Sequence, residues 1–189
     1  MSRLQDDAKS ILVPLIRGEW PRLQDNQAAG LAAWVTMLVM VNEFTDPKTV
    51  ATSAKQRRAF QRERTPPDTW FIWIGRYEDT SRIGNGDWNH HKVRTLLLPS
   101  PSDVRLTDYI DVHTSTFTVG KVFFHVFGGT AYIMFNDIAN FSARYDVRRL
   151  WPRESIPLLA PPRVFNFRAF QTLSNDFARL RGIPYFERR

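Results

Sequence analysis

Residues 70–77, Trp-Phe-Ile-Trp-Ile-Gly-Arg-Tyr, set the tightest limit on what this chain can fold into. Along an extended backbone, successive side chains point to opposite faces. Trp70, Ile72 and Ile74 therefore share one face, and Phe71, Trp73 and Tyr77 share the other. A strand that is apolar on both faces must be covered on both sides, or covered on one and lining a groove with the other.

The covering layers are legible on either side of it. Met1, Leu4, Ala8, Ile11, Leu12 and Leu15 recur at helical spacing, so a helix begins at or next to the first residue. Pro14 is expected to break or kink it, and Gly18 to end it. No N-capping residue precedes this helix, so the chain reads as starting inside a helical pattern whose beginning has been cut away. A second helix is expected from an Asp25 N-cap to about Phe44, before Thr45-Asp46-Pro47. Leu31, Trp34, Leu38 and Val41 form its apolar stripe, and Val35, Met37, Val39 and Met40 extend it nearly all round, the pattern of a central helix. A third helix, from about Ser53 to Arg64, is polar and basic and is stopped by Pro66-Pro67.

After the aromatic strand the sequence predicts a polar loop from Glu78 to Asn89 and a strand from Val93 to Leu98. Another strand is expected at Thr114–Val119, with Gly120 a turn or bulge. Val122 to Phe127, Gly128-Gly129 and Thr130 to Phe135 read as a tight hairpin, with Phe124 opposite Ile133 and His125 opposite Tyr132. The proline-bearing stretch from Leu150 to Pro162 reads as extended, and an amphipathic helix is expected from about Asn166 to Arg181. The expected fold class is α+β, with N-terminal helices packed on a mainly antiparallel β-sheet and a C-terminal helix. The expected organisation is one domain over 1–189: helical over 1–65, sheet-rich over 69–136, and an extended segment and helix over 150–182.

The chain has no cysteine, which excludes a disulfide framework and a cysteine-based zinc site and fits a reducing compartment. The N-terminus lacks the charged-then-apolar progression of a secretory signal. The nearly charge-free run Asn26–Asn42 falls short of the ~20 apolar residues of a membrane span. A cytoplasmic protein without a membrane partner is therefore expected. Its 26 lysines and arginines against 19 acidic residues give a formal charge of +7. That balance favours acidic partners, nucleic acid first among them; the alternative is a basic surface that serves solubility.

The sharpest concentration of that charge is the third helix. Lys55, Arg58 and Arg62 fall on one stripe, Arg57 and Arg64 on a neighbouring one, with Glu63 the lone acid among them. Such a row can hold phosphates, since the planar guanidinium bonds phosphate oxygens in pairs; the competing reading is a solvated face. A second basic stretch, Arg179, Arg181, Tyr185, Phe186, Arg188 and Arg189, reads as a frayed terminus.

Catalytic constellations are thin. No Gly-x-Ser-x-Gly motif is present, and Gly84-Asn85-Gly86 lacks a phosphate-loop context. His90-His91 would point to opposite faces of a strand, and Asp111-x-His113 offers two ligands where a site needs more. His125 reads as a satisfied core histidine. No catalytic residue, metal site or cofactor is assigned.

Met1-Ser2-Arg3-Leu4, Ile16-x-Gly18, Leu31-Ala32-x-Trp34, Trp73-Ile74-Gly75-x-Tyr77, Thr118-x-Gly120 and Leu150-Trp151-Pro152 follow one another in a characteristic order. Together they resemble the region downstream of the metal-binding segment in bacterial and phage HNH-endonuclease-like proteins. In that family a Cys-Asn-x-x-Trp-Met-Ser-x-Leu-Glu stretch leads into the first helix; Gln5 stands where the family tends to have Glu. The resemblance implies that the family's metal and nuclease residues have no counterpart here, leaving a non-catalytic companion domain. The expected function is nucleic-acid binding through Lys55, Arg57, Arg58, Arg62 and Arg64. The alternatives are a protein-interaction or regulatory subunit of a phage or defence system, using the strand from Trp70 to Tyr77, and last a metal-dependent hydrolase using His90, Asp111 and His113.

Overall fold

In the computed structural model, which describes residues 3–45, 50–78, 90–97, 110–129, 136–153 and 161–179, the aromatic run forms strand β1 (Phe71–Tyr77). It is hydrogen-bonded between β4 (Val122–Gly129) and β5 (Arg148–Trp151), antiparallel to both. The sheet continues outward from β4 to β3 (Ile110–Val119) and β2 (His90–Leu97), giving the order β2-β3-β4-β1-β5. A short β6 (Val164–Phe165) pairs with β1 in parallel. The remaining elements are helices α1 (Arg3–Ile16), α2 (Asp25–Asn42), α3 (Ala54–Glu63), α4 (Asn136–Tyr145) and α5 (Phe167–Arg179). The fold is α+β, with a mainly antiparallel sheet and a C-terminal helix.

The alternation along β1 is realised as two cores. Trp70, Ile72 and Ile74 pack with Phe117, Val122, Phe124 and Val126 beneath residues of α1, α2 and α3, among them Leu15, Leu31, Val35 and Phe60. Phe71, Trp73 and Tyr77 pack with Phe123 and Phe127 against Phe141 of α4 and Phe170 and Leu173 of α5. Each fully buried large apolar side chain contributes ~1.5–3 kcal/mol relative to exposure, so neither face could be left bare.

Gly75 lies at the tightest point of the second core. A Cβ there would sit 2.3 Å from Cε1 of Phe123, its cross-strand partner. That ring is fully buried and packs on Phe165 with centroids 4.9 Å apart, so it has nowhere to swing. Gly75→Ala is expected to cost about 1–3 kcal/mol through overpacking. A urea midpoint lowered at unchanged slope is the measurement that checks it.

The tight hairpin forms one element earlier than the sequence predicts. β3 and β4 are joined through Gly120-Lys121, with Val119 opposite Val122. Gly120 takes φ +56°, as a two-residue hairpin turn with glycine first requires. Gly128 and Gly129 are not a turn but the end of β4, opposite His113 and Val112. The partners of Phe124 and His125 in this hairpin are accordingly Phe117 and Thr116. Thr130–Phe135 lies outside the described residues, as does the loop 79–89.

Other boundaries shift for local reasons. Pro14 sits inside α1 without ending it; the helix runs on to Ile16 and closes at Gly18, φ +87°. The N-cap of α2 is Gln24 rather than Asp25, and the Gln27 side chain accepts from the Gln24 N–H at 2.8 Å. α2 ends at Asn42, and a single 3-10 turn carries Glu43–Thr45. β2 begins at His90, earlier than expected, and α4 and β5 were not expected at all. Asp25–Thr45 is, among the described residues, the one stretch long and apolar enough to cross a membrane, and half of its apolar window is buried inside the fold.

Candidate nucleic-acid interface

α3 is built to stay in place. Ser53 caps it: its hydroxyl accepts from the Gln56 N–H at 3.2 Å, and the Gln56 side chain accepts from the Ser53 N–H at 3.0 Å. This reciprocal box satisfies two helix-end donors. The Gln56 amide also donates to the carbonyl of Gly129 at 2.7 Å and to Thr69 Oγ1 at 3.1 Å, tying the helix start to the end of β4 and the entry to β1. Phe60 is buried in the first core. At the other end Arg64 adopts the left-handed conformation, φ 57°, and its N–H bonds the Phe60 carbonyl.

These attachments sort the basic residues. Lys55, Arg58, Arg62 and Arg64 are exposed. Arg57 is turned inward instead. Its Nη1 donates to the Met40 carbonyl at 2.9 Å and its Nη2 pairs with the carboxylate of Glu43. Of the residues the sequence singles out, Lys55, Arg58 and Arg62 form the exposed stripe of α3, Arg64 is exposed at its C-cap, and Arg57 supports the helix from its inner side. Arg62 touches Glu63 at 2.6 Å with both side chains exposed. A surface pair of that kind is worth at most ~1 kcal/mol and gives way readily to a competing anion.

Glu43 is the residue that sequence reasoning missed. It is fully buried. Its Oε1 accepts from the N–H groups of Ala51 and Thr52 at 2.9 and 3.1 Å, and its Oε2 holds Arg57. One carboxylate thus fastens the end of α2 to the segment leading into α3. His113 lies beyond it, fully buried, with Nδ1 4.0 Å from Glu43 Oε1 and its ring edge-on to Trp70 at 4.9 Å. The next residue, Phe44, points the other way. It is 70% exposed, and the Arg57 guanidinium carbon stands 4.6 Å from its ring centroid. No spacing in the sequence links Glu43 to Arg57 fourteen positions later, so only the folded chain shows the pair.

His90 and His113, the two histidines of the expected hydrolase set, lie apart in the sheet. His90 pairs with Phe117 and His113 with Arg94, which places them four rungs apart in the ladder, about 13 Å. Among the described residues no group of three or more His, Asp or Glu side chains could hold a metal. His125 is fully buried, with Nδ1 2.7 Å from Thr116 Oγ1, which in turn accepts from the Ser174 hydroxyl at 2.6 Å. This polar thread fastens α5 to the sheet and has no access to solvent at any of its three members. The basic tail beyond Arg179 lies outside the described residues. No family model matches the chain, and comparison with curated proteins and with solved structures returns no match.

Proposed function

We propose that this protein binds nucleic acid through the outer face of α3, without cleaving it. The observation that supports the reading most is the division of labour on that helix: Gln56, Arg57 and Phe60 anchor it, and Lys55, Arg58, Arg62 and Arg64 are left to solvent. Lys55, Arg58 and Arg62 span about 10 Å along the helix axis, a reach of roughly three phosphates on one strand. The net charge of +7 adds a long-range attraction for a polyanion.

The proposed relationship to the HNH-endonuclease-like companion region rests on the sequence pieces alone. Among the described residues, several of those pieces occupy packing positions. Gly120 faces Ile16, with Ile16 Cγ2 2.6 Å from where a Cβ would lie, so two of the pieces meet; Trp73 and Gly75 lie in the second core. Such residues speak to shape rather than to chemistry. The alternative interface, the strand from Trp70 to Tyr77, offers little free surface, since all but Arg76 of that strand is buried.

Three phosphate contacts predict that affinity falls with salt on a log–log slope of about −2 to −3, roughly 0.7–0.9 per contact. Reversing Arg58 and Arg62 to glutamate should flatten that slope to about −1 or less and weaken binding at least tenfold at moderate salt. Titration by fluorescence anisotropy against labelled DNA and RNA measures both. Affinity weaker than roughly 100 μM that ignores the reversals would remove this reading. Magnesium-dependent degradation by the pure protein, abolished by altering one histidine, would replace it with the hydrolase reading.

A further inference from the structure

Resting on the phosphate-binding reading of α3, we infer that the same site takes single-stranded nucleic acid, with Phe44 as the platform on which an unpaired base stacks. Among the described residues Phe44 is the most exposed large apolar side chain. It follows directly on the buried Glu43, so its backbone is held by the bonds that Glu43 makes to Ala51, Thr52 and Arg57. One face of its ring is covered by the Arg57 guanidinium, itself fixed by Glu43 and by the Met40 carbonyl. The ring is therefore oriented before any ligand arrives, and its remaining surface is open to solvent. A base laid on the open face would complete an Arg57–Phe44–base stack, adding to a cation–π contact already in place.

The occupant follows from charge and shape together. Phe44 packs on Arg57, and the next residue, Arg58, belongs to the exposed row with Lys55 and Arg62. A strand with a phosphate at Arg58 would pass beside Arg57, the residue on which the ring packs. In a duplex the base faces are hidden in the stack, so the row could bind its phosphates but Phe44 would gain nothing. In a single strand every base offers a face, and aromatic stacking tolerates any sequence. Val41, three residues before Phe44, is also exposed, at 56%.

The test compares a 12-nucleotide oligo(dT) with a 12-base-pair duplex, by anisotropy at constant salt, on the full chain and its variants. The wild type should prefer the single strand. Phe44→Ala and Phe44→Leu should lower single-strand affinity about five- to a hundredfold and leave duplex affinity within about twofold; Phe44→Trp should retain or raise the former. The leucine variant keeps apolar bulk without the ring, so a loss shared by alanine and leucine but not tryptophan reports stacking. Single-strand affinity unchanged in Phe44→Ala, or equal losses on both ligands, overturns the inference. If Arg58 and Arg62 reversals still weaken binding in that event, the phosphate reading survives; if they do not, both fall. Recovery of Phe44→Ala protein that binds oligo(dT) normally but loses self-association would assign the ring to a protein contact instead.

Discussion

Glu43→Ala is expected to destabilise the fold by about 3–5 kcal/mol, the range for removing one partner of a buried charge pair. The reason lies in what the carboxylate leaves behind. Two backbone N–H groups, of Ala51 and Thr52, lose their acceptor in a buried place, and each such loss costs ~1–3 kcal/mol. Arg57, with only 21% of its side chain exposed, loses its counter-charge but keeps the Met40 carbonyl. The opposing effect is solvent reaching Arg57 through that exposed fraction, which holds the cost near the lower bound. Glu43→Gln preserves an acceptor for the amides and should lose less. The double variant Glu43→Met with Arg57→Met removes both charges and should be more stable than Glu43→Ala alone. A double-mutant cycle on chemical denaturation midpoints separates the ion pair from the amide bonds. For a chain of this size the loss corresponds to a melting temperature lowered by roughly 6–20 °C.

Trp73→Ala should produce a loss of similar size, about 3–5 kcal/mol, by a different mechanism. Trp73 is fully buried at the middle of the second core. Its ring lies 4.5 Å from that of Phe141, 5.7 Å from His125 and 5.9 Å from Phe71, measured between centroids. Its indole N–H donates to Ser142 Oγ at 3.2 Å. Truncation would open a large cavity walled by other aromatic rings, which cannot all move in to fill it. Trp73→Phe keeps most of the volume and gives up the bond to Ser142, so a loss of about 1–3 kcal/mol is expected. Because both Phe141 and Ser142 belong to α4, amide exchange in that helix should accelerate before exchange in β1 does, which hydrogen-exchange mass spectrometry would detect.

The parts of the fold that were legible are those with a local signal. The two-faced pattern of residues 70–77 left two outcomes, cover on both sides or a groove along one; both faces are covered, and the side-chain assignment holds residue by residue in the two cores. The extent of α3 is legible to within a residue or so, with the helix ending short of Pro66-Pro67; the capping box of Ser53 and Gln56 is seen only in the structure. Gly128-Gly129 misled because a glycine pair after an apolar run normally turns the chain. Here the bare backbone serves a neighbour: a Cβ on Gly128 would lie 2.5 Å from His113 Cε1 and 2.9 Å from Trp70 Cε2. That reason is tertiary, and no window of sequence contains it. β5 is equally silent, since Arg148 and Arg149 obscure a strand whose place is set by its ladder with β1 and by Leu150 in the first core. At the candidate site the cations were visible and their sorting was not. Arg57 and Arg58 are adjacent and chemically identical; the anchoring of α3 by Gln56 and Phe60, with the carboxylate of Glu43 and the Met40 carbonyl waiting inside, decides which of them faces the core.

The meeting of Ile16 with the Gly120-Lys121 turn, where the Lys121 N–H bonds the Ile16 carbonyl at 3.1 Å, bears on how the polypeptide is made. More than a hundred residues separate these partners in the chain. At about 5–20 residues per second of translation, α1 and α2 wait several seconds before the strands they cover have emerged. Through that interval the two helices have only each other to pack on, and the side of α2 that later meets the sheet stays bare. Slower translation would lengthen that exposure rather than relieve it.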